Sequence, residues 1–155
     1  MAPSKTPIGI RMSVIYTIYF LYFEAPMAAL GTYLIAFDPI KFLQGTVPTA
    51  AMIFDETYKI EPLTMMMMTN IGALYLLFAI FEGAVLRVTK EKIVWKTVLA
   101  AMAVCDIGHL YAVYAIAPAH AFQVLAWNSY EWINYGTLVM GLLLRVSFLL
   151  GIGRN

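Results

Sequence analysis

"IVWKTVLAAMAVCDIGHLYAVYAIA", residues 93 to 117, is long and apolar enough to cross a membrane, yet carries an aspartate and a histidine within it. A bilayer core of about 30 Å requires about 20 mostly apolar residues in a helix. The run exceeds that length, and its formal charges are Lys96 near its start and Asp106. The rest of the chain has the same character. Of its 155 residues, 62% are hydrophobic and 12% charged, and the mean hydropathy is +0.78. Soluble domains average about 45–50% apolar and about 25% charged residues. Lipid is therefore the expected solvent, and the fold class is an all-α integral membrane bundle.

Three further stretches match the first, giving a single domain with four transmembrane helices at roughly residues 12–37, 63–86, 93–117 and 125–152. The first follows Lys5 and Arg11 as a signal peptide would, but its apolar run continues beyond the roughly 7–15 residues of a signal core. It is expected to remain as a span. Lysines and arginines cluster before span one, around the short link between spans two and three (Arg87, Lys90, Lys92, Lys96), and at the end of span four (Arg145, Arg154). Alternating helices put all three clusters on one side, and the positive-inside rule makes that side cytosolic. Both termini are then cytosolic, with the endoplasmic reticulum as the expected membrane. The first loop, from Asp38 to Pro62, is rich in proline and should hold turns and at most one short interfacial helix. Met65 to Met68 read as adaptable packing, and Tyr58, Trp127, Tyr130 and Trp132 as an interfacial aromatic belt.

Several functions are excluded early. A net charge of +1 gives no footprint for nucleic acid. One cysteine, Cys105, allows neither an internal disulfide nor a paired-thiol redox centre. Neither a phosphate-binding loop nor a dinucleotide fingerprint is present. Asp106-x-x-His109 occurs once, whereas carboxylate-bridged di-iron bundles need such a motif twice. No metal and no cofactor is expected.

The acidic residues in the spans carry the functional reading. A charge at mid-membrane costs at least ~2.5–3.5 kcal/mol on insertion scales, yet Glu24, Glu82 and Asp106 all fall within spans. At ~1.5 Å per residue, Glu24 and Asp106 both lie ~20 Å from the cytosolic ends of their helices, so they can meet inside the bundle. Glu82 and Arg145 lie at a shallower common depth and read as a structural ion pair; Arg87 is a second candidate partner for Glu82. In span four, Asn128, Glu131 and Tyr135 recur at i, i+3 and i+7 with Asn134 beside them, which places them on one face. Asn70 of span two lies at a comparable depth. Together these residues suggest a pocket in the outer half of the membrane, floored by Glu24 and Asp106. Pro26 interrupts the helix beside Glu24, because it has no N–H for the Tyr22 carbonyl.

Two buried carboxyls held close together resist losing both protons, which leaves one as an acid and the other as a base. His109, one turn from Asp106, would orient that carboxylate or relay a proton. Asn70, Glu131, Asn134 and Tyr135 would hold the polar end of a small apolar substrate.

The four-span layout, "FEAP" (23–26), "DIGHLY" (106–111) and "EWINYG" (131–136) resemble small fungal membrane proteins of secondary-metabolite clusters. These are the epoxide hydrolase/cyclase type of the aurovertin and citreoviridin pathways. More distantly, the buried acids are similar to those of membrane-bound meroterpenoid cyclases and the sterol-isomerase group. The resemblance implies a cofactor-independent opening of an epoxide on a polyketide-like substrate, by water or by an internal hydroxyl. Two alternatives stay open: carbocation isomerisation or cyclisation of a sterol or terpenoid by the same acids, and a non-catalytic lipid-binding tetraspan protein. The oligomeric state is also open.

Overall fold

A computed structural model describes residues 13–48 and 58–153. Among them the regular structure is helical, without a strand, and four helices are long and apolar enough to span a membrane. Helix α1 runs Val14–Phe37. It opens at Ser13, whose side chain accepts from the Ile15 amide, and stops at Asp38. Asp38 then caps the amide of Lys41 and starts α2, Pro39–Thr46. Proline is pre-shaped for a first helical turn, and Pro62 likewise begins α3, Pro62–Val88. Helix α4 is Lys92–Ile116. Single turns at Pro118–Ala121 and Val124–Ala126 lead to α5, Ser129–Leu150.

Helices α1, α3, α4 and α5 are the four expected spans, and α2 is the short helix expected in the first loop. The remainder of that loop's centre, like Lys5, Arg11 and Arg154, lies outside the described residues. Span four starts later than the sequence suggests. Val124–Ala126 winds into its own turn, and Asn128 and Glu131 then form a reciprocal capping box that sets the true helix start. At its far end Gly151 turns left-handed at φ 92°, and the amides of Gly151 and Ile152 bond back to the Phe148 and Ser147 carbonyls. That is the Schellman ending glycine permits.

The helices pack as two close pairs, α1 with α3 and α4 with α5. Small residues allow the first pair to approach. A Cβ on Gly31 would lie 2.6 Å from the Tyr75 ring, and Thr32 donates to the Gly72 carbonyl at 2.9 Å. One apolar cluster joins the two pairs, and a second packs α2 against the first pair. At the end where α1 begins, Tyr16, Phe20, Leu86, Trp95, Leu99 and Phe148 interlock, and the Ser13 amide reaches the Gly153 carbonyl at 3.0 Å. At the opposite end Ile35, Phe42, Leu43 and Met68 form the second cluster. Met68 is the buried member of the methionine run; Met66 and Met67 face outward with other large apolar side chains, as a lipid-facing surface requires.

Three of the long helices widen into π-helical turns: Ile18–Glu24 in α1, Phe81–Val85 in α3 and Trp132–Gly136 in α5. Such turns are rare and concentrate at functional sites. In α1 the cause is legible, because Pro26 has no amide hydrogen to return to the preceding turn. The Leu21 carbonyl accepts instead from Arg87 Nη2 at 3.2 Å, while the Arg87 guanidinium lies 4.8 Å from the centre of the Tyr22 ring. Arg87 is thereby committed to α1, not to Glu82.

Candidate functional site

Between the two apolar clusters lies a cavity of about 240 Å³. Its walls are mostly apolar or aromatic, including Phe23, Met27, Leu34, Phe78 and Met102. Its chemistry sits around Arg145, which is 1% exposed. Nη2 of Arg145 donates to Glu24 Oε1 at 2.6 Å and to Glu82 Oε1 at 3.1 Å, and Nη1 donates to Asp106 Oδ2 at 2.6 Å. Four side chains from four helices therefore meet at one guanidinium, whose planar fork suits several carboxylate partners at once.

Helix geometry explains the meeting. Side chains tilt toward the N-terminus of their own helix. Glu24 and Asp106, on α1 and α4, therefore lean toward the end where the chain begins. Glu82 and Arg145, on the oppositely running α3 and α5, lean away from it. Groups whose backbones lie at different depths thus converge on one level. Gly141 provides the space, since a Cβ there would lie 2.6 Å from Arg145 Nη1 and 3.3 Å from Glu24 Oε1. Tyr19 borders the same place, its hydroxyl donating to the Thr137 carbonyl at 2.9 Å.

The donors do not satisfy every buried atom. Glu24 Oε2, Glu82 Oε2 and Arg145 Nε have no hydrogen-bond partner among the described residues. Glu82 is fully buried, while the Glu24 side chain is 19% exposed and that of Asp106 8%. Glu24 is thus the acid most open to a guest in the cavity.

The expected pair of Glu24 and Asp106 is brought together, but through Arg145 and in company with Glu82. The ion pair expected between Glu82 and Arg145 exists, as one arm of this larger cluster. His109 also lines the cavity, but its assigned part as an orienter of Asp106 is corrected. Its Nδ1 lies 3.8 Å from Cys105 Sγ and its ring faces Tyr75, and Arg145 is what holds Asp106. One turn along the same helix, the histidine side chain extends past the carboxylate toward α3.

The expected substrate-binding set largely disperses. Asn70 is exposed on the outside of α3 and is absent from the cavity wall. Glu131 is fully buried; it accepts from the Asn128 amide at 2.8 Å and pairs with His120 Nε2 at 2.8 Å. It therefore locks the loop to the start of α5. Tyr135 is buried and donates to the Thr46 carbonyl at 3.0 Å, tying α5 to α2. The shared helical face is real, but it looks toward α2 and the loop. Asn134 alone of the four lines the cavity, where its amide donates to the Gly45 carbonyl at 3.1 Å. Arg145, Tyr19 and Lys41 border the cavity and were not singled out as site residues from sequence. An arginine inside an apolar span, though near its end, was the available signal, since such a residue normally faces the bundle interior with a partner.

The chain belongs to the DUF7704 family, a domain of unknown function, whose profile matches residues 10–155. The matched region contains all four long helices and every member of the arginine cluster. Neither a curated protein nor a solved structure matches the chain.

Proposed function

We propose that the protein is a membrane-embedded acid–base enzyme that opens an epoxide on an apolar, polyketide-like substrate. One observation carries this reading: three carboxyl groups share a single guanidinium beside an apolar cavity, and two of them keep a buried oxygen without a donor. One arginine balances one carboxylate. A buried charge without a partner is strongly unfavourable, so the cluster reaches neutrality when the other two carboxyls carry protons. A cavity of low polarity bordered by a carboxylic acid and a carboxylate is suited to a substrate that must be protonated at one oxygen while a second oxygen loses a proton.

In this scheme Glu24, the most open acid, donates its proton to the epoxide oxygen as the carbon–oxygen bond breaks. Asp106 takes the proton from the water, or from the substrate hydroxyl, that attacks the carbon. The product is a diol or a cyclic ether, and one proton has moved from Glu24 to Asp106. Its return along the cluster held by Arg145 restores the starting state. Glu82 and Arg145 position the pair and keep its charge balanced. The epoxide itself comes from the resemblance to the fungal epoxide hydrolase/cyclase proteins; the cluster supports acid–base chemistry more generally, including acid-initiated cyclisation. The charge clusters favour an orientation with both termini in the cytosol; an endoplasmic reticulum membrane is part of the same proposal.

The test is to incubate purified protein with polyene epoxides and analyse the products. Diol or cyclic ether formed above the protein-free rate is expected. In heavy-oxygen water, a single turnover with excess enzyme should put the label directly into a diol. Unlabelled diol in that first turnover would mean that a carboxylate is the nucleophile, and no reaction with any epoxide would remove this assignment.

A further inference from the structure

The cavity wall is uneven in a way that indicates how a guest enters. Its lining residues on α3 and α4, such as Tyr75, Phe78, Met102 and His109, are buried or half-buried. Its lining residues on the other side include strongly exposed ones. Phe23 and Leu30 of α1 are 41% and 45% exposed, and Tyr130 and Ile133 of α5 are 45% and 54% exposed. The cavity is therefore a slot between α1 and α5 that opens sideways, toward the surface that faces lipid. This follows from the pairing of helices, since α1 packs closely on α3 and α5 on α4.

The two ends of the slot differ in charge. At one end Arg145 is held by three carboxyl groups. At the other, α2 contributes Lys41, an exposed residue on the cavity wall beside Gly45, Thr46 and Asn134. The backbone amide of Lys41 serves the Asp38 cap, and its ammonium group makes no ion pair among the described residues. From Glu24 to Leu34 along α1, the distance between these ends is roughly 15 Å at the helical rise. A lysine at the loop end of a lipid-facing slot is placed to meet an acidic head group at the interface, while an apolar chain extends along the slot.

We propose that the guest of this cavity is an anionic amphiphile taken from the bilayer between α1 and α5, with its acidic head held by Lys41 and its chain directed at Glu24 and Asp106. The identity of the reacting group still rests on the function proposed above; the binding does not. The test uses oleic acid and methyl oleate, which share a chain and differ in head-group charge. Their binding to the protein in zwitterionic nanodiscs is compared at mildly alkaline pH, where the acid is ionised. Wild type should bind the acid about five-fold more tightly than the ester, the equivalent of one partly exposed ion pair. Lys41→Arg should keep that preference and Lys41→Glu should remove it. Ile133→Trp, which fills the slot, should weaken both ligands. Glu24→Gln should leave the preference intact, so a failure of the catalytic reading is distinguished from a failure of this one. Equal affinity of wild type for acid and ester, or a preference that survives Lys41→Glu, overturns the proposal.

Discussion

Arg145 and Gly141, one turn apart on α5, show how a single position controls the site. Removing one partner of a buried ion pair typically costs about 3–5 kcal/mol because the other charge is left alone, and Arg145 holds three carboxyl groups at once. Gly141 faces this cluster with no side chain. A methyl group there would fall 2.6 Å from Arg145 Nη1, which an arginine held by three carboxyl groups cannot easily yield. Gly141→Ala should therefore lower stability in detergent by about 1–3 kcal/mol, the usual range for overpacking, and reduce turnover. Gly108→Ala is the matched control, since nothing lies within 4 Å of its Cβ; it should be neutral or slightly stabilising, because alanine favours helix over glycine. Thermal melting of both variants checks this. A Gly141→Ala protein that melts with wild type would mean that the cluster has slack the geometry does not indicate.

At the scale of helices, much was legible from sequence and some was not, for definite reasons. Hydrophobic length located the four spans, and depth counting brought Glu24 toward Asp106 and Glu82 toward Arg145. Counting along the backbone separated these into two groups because it ignores the tilt of side chains toward each helix's N-terminus and the π-helical turns around Glu24 and Glu82. Periodicity correctly put Asn128, Glu131 and Tyr135 on one face of α5. It could not say which neighbour that face meets, and α2 and the preceding loop occupy it. Asn70 illustrates the same limit, since its depth alone does not say which side of α3 it occupies. Pro26 ties the irregular turn to function. Pro26→Ala restores an amide hydrogen for the preceding turn, so α1 should wind regularly and rotate Glu24 away from Arg145. Activity per folded molecule is expected to fall. Wild-type activity in that variant would show that the π-helical turn is incidental.

Across the whole molecule, the chain forms two helix pairs, joined at one end by an apolar cluster and at the other through α2, whose Gly45 and Thr46 carbonyls accept from Asn134 and Tyr135 of α5; the charged cluster and its slot lie between. The start of α1 and the end of α5 lie together, joined through the Ser13 amide and the Gly153 carbonyl, so the first and last described residues share one face. Under the proposed orientation, drawn from the lysine and arginine distribution, that face is the cytosolic one. Protease treatment of sealed microsomes should therefore remove tags from both ends, and protection of both would invert the orientation. The central claim is that Glu24 and Asp106 are a working acid and base, not merely counter-ions of Arg145. Turnover of an epoxide by Glu24→Gln and Asp106→Asn measures this most directly, with each variant first matched to wild type in helical content and monodispersity. Each change keeps size and hydrogen-bonding shape while removing the proton exchange. Each should slow the reaction about 100-fold or more, the usual contribution of a positioned acid or base. Near wild-type rates in both folded variants would contradict the account and leave the cluster as a structural device.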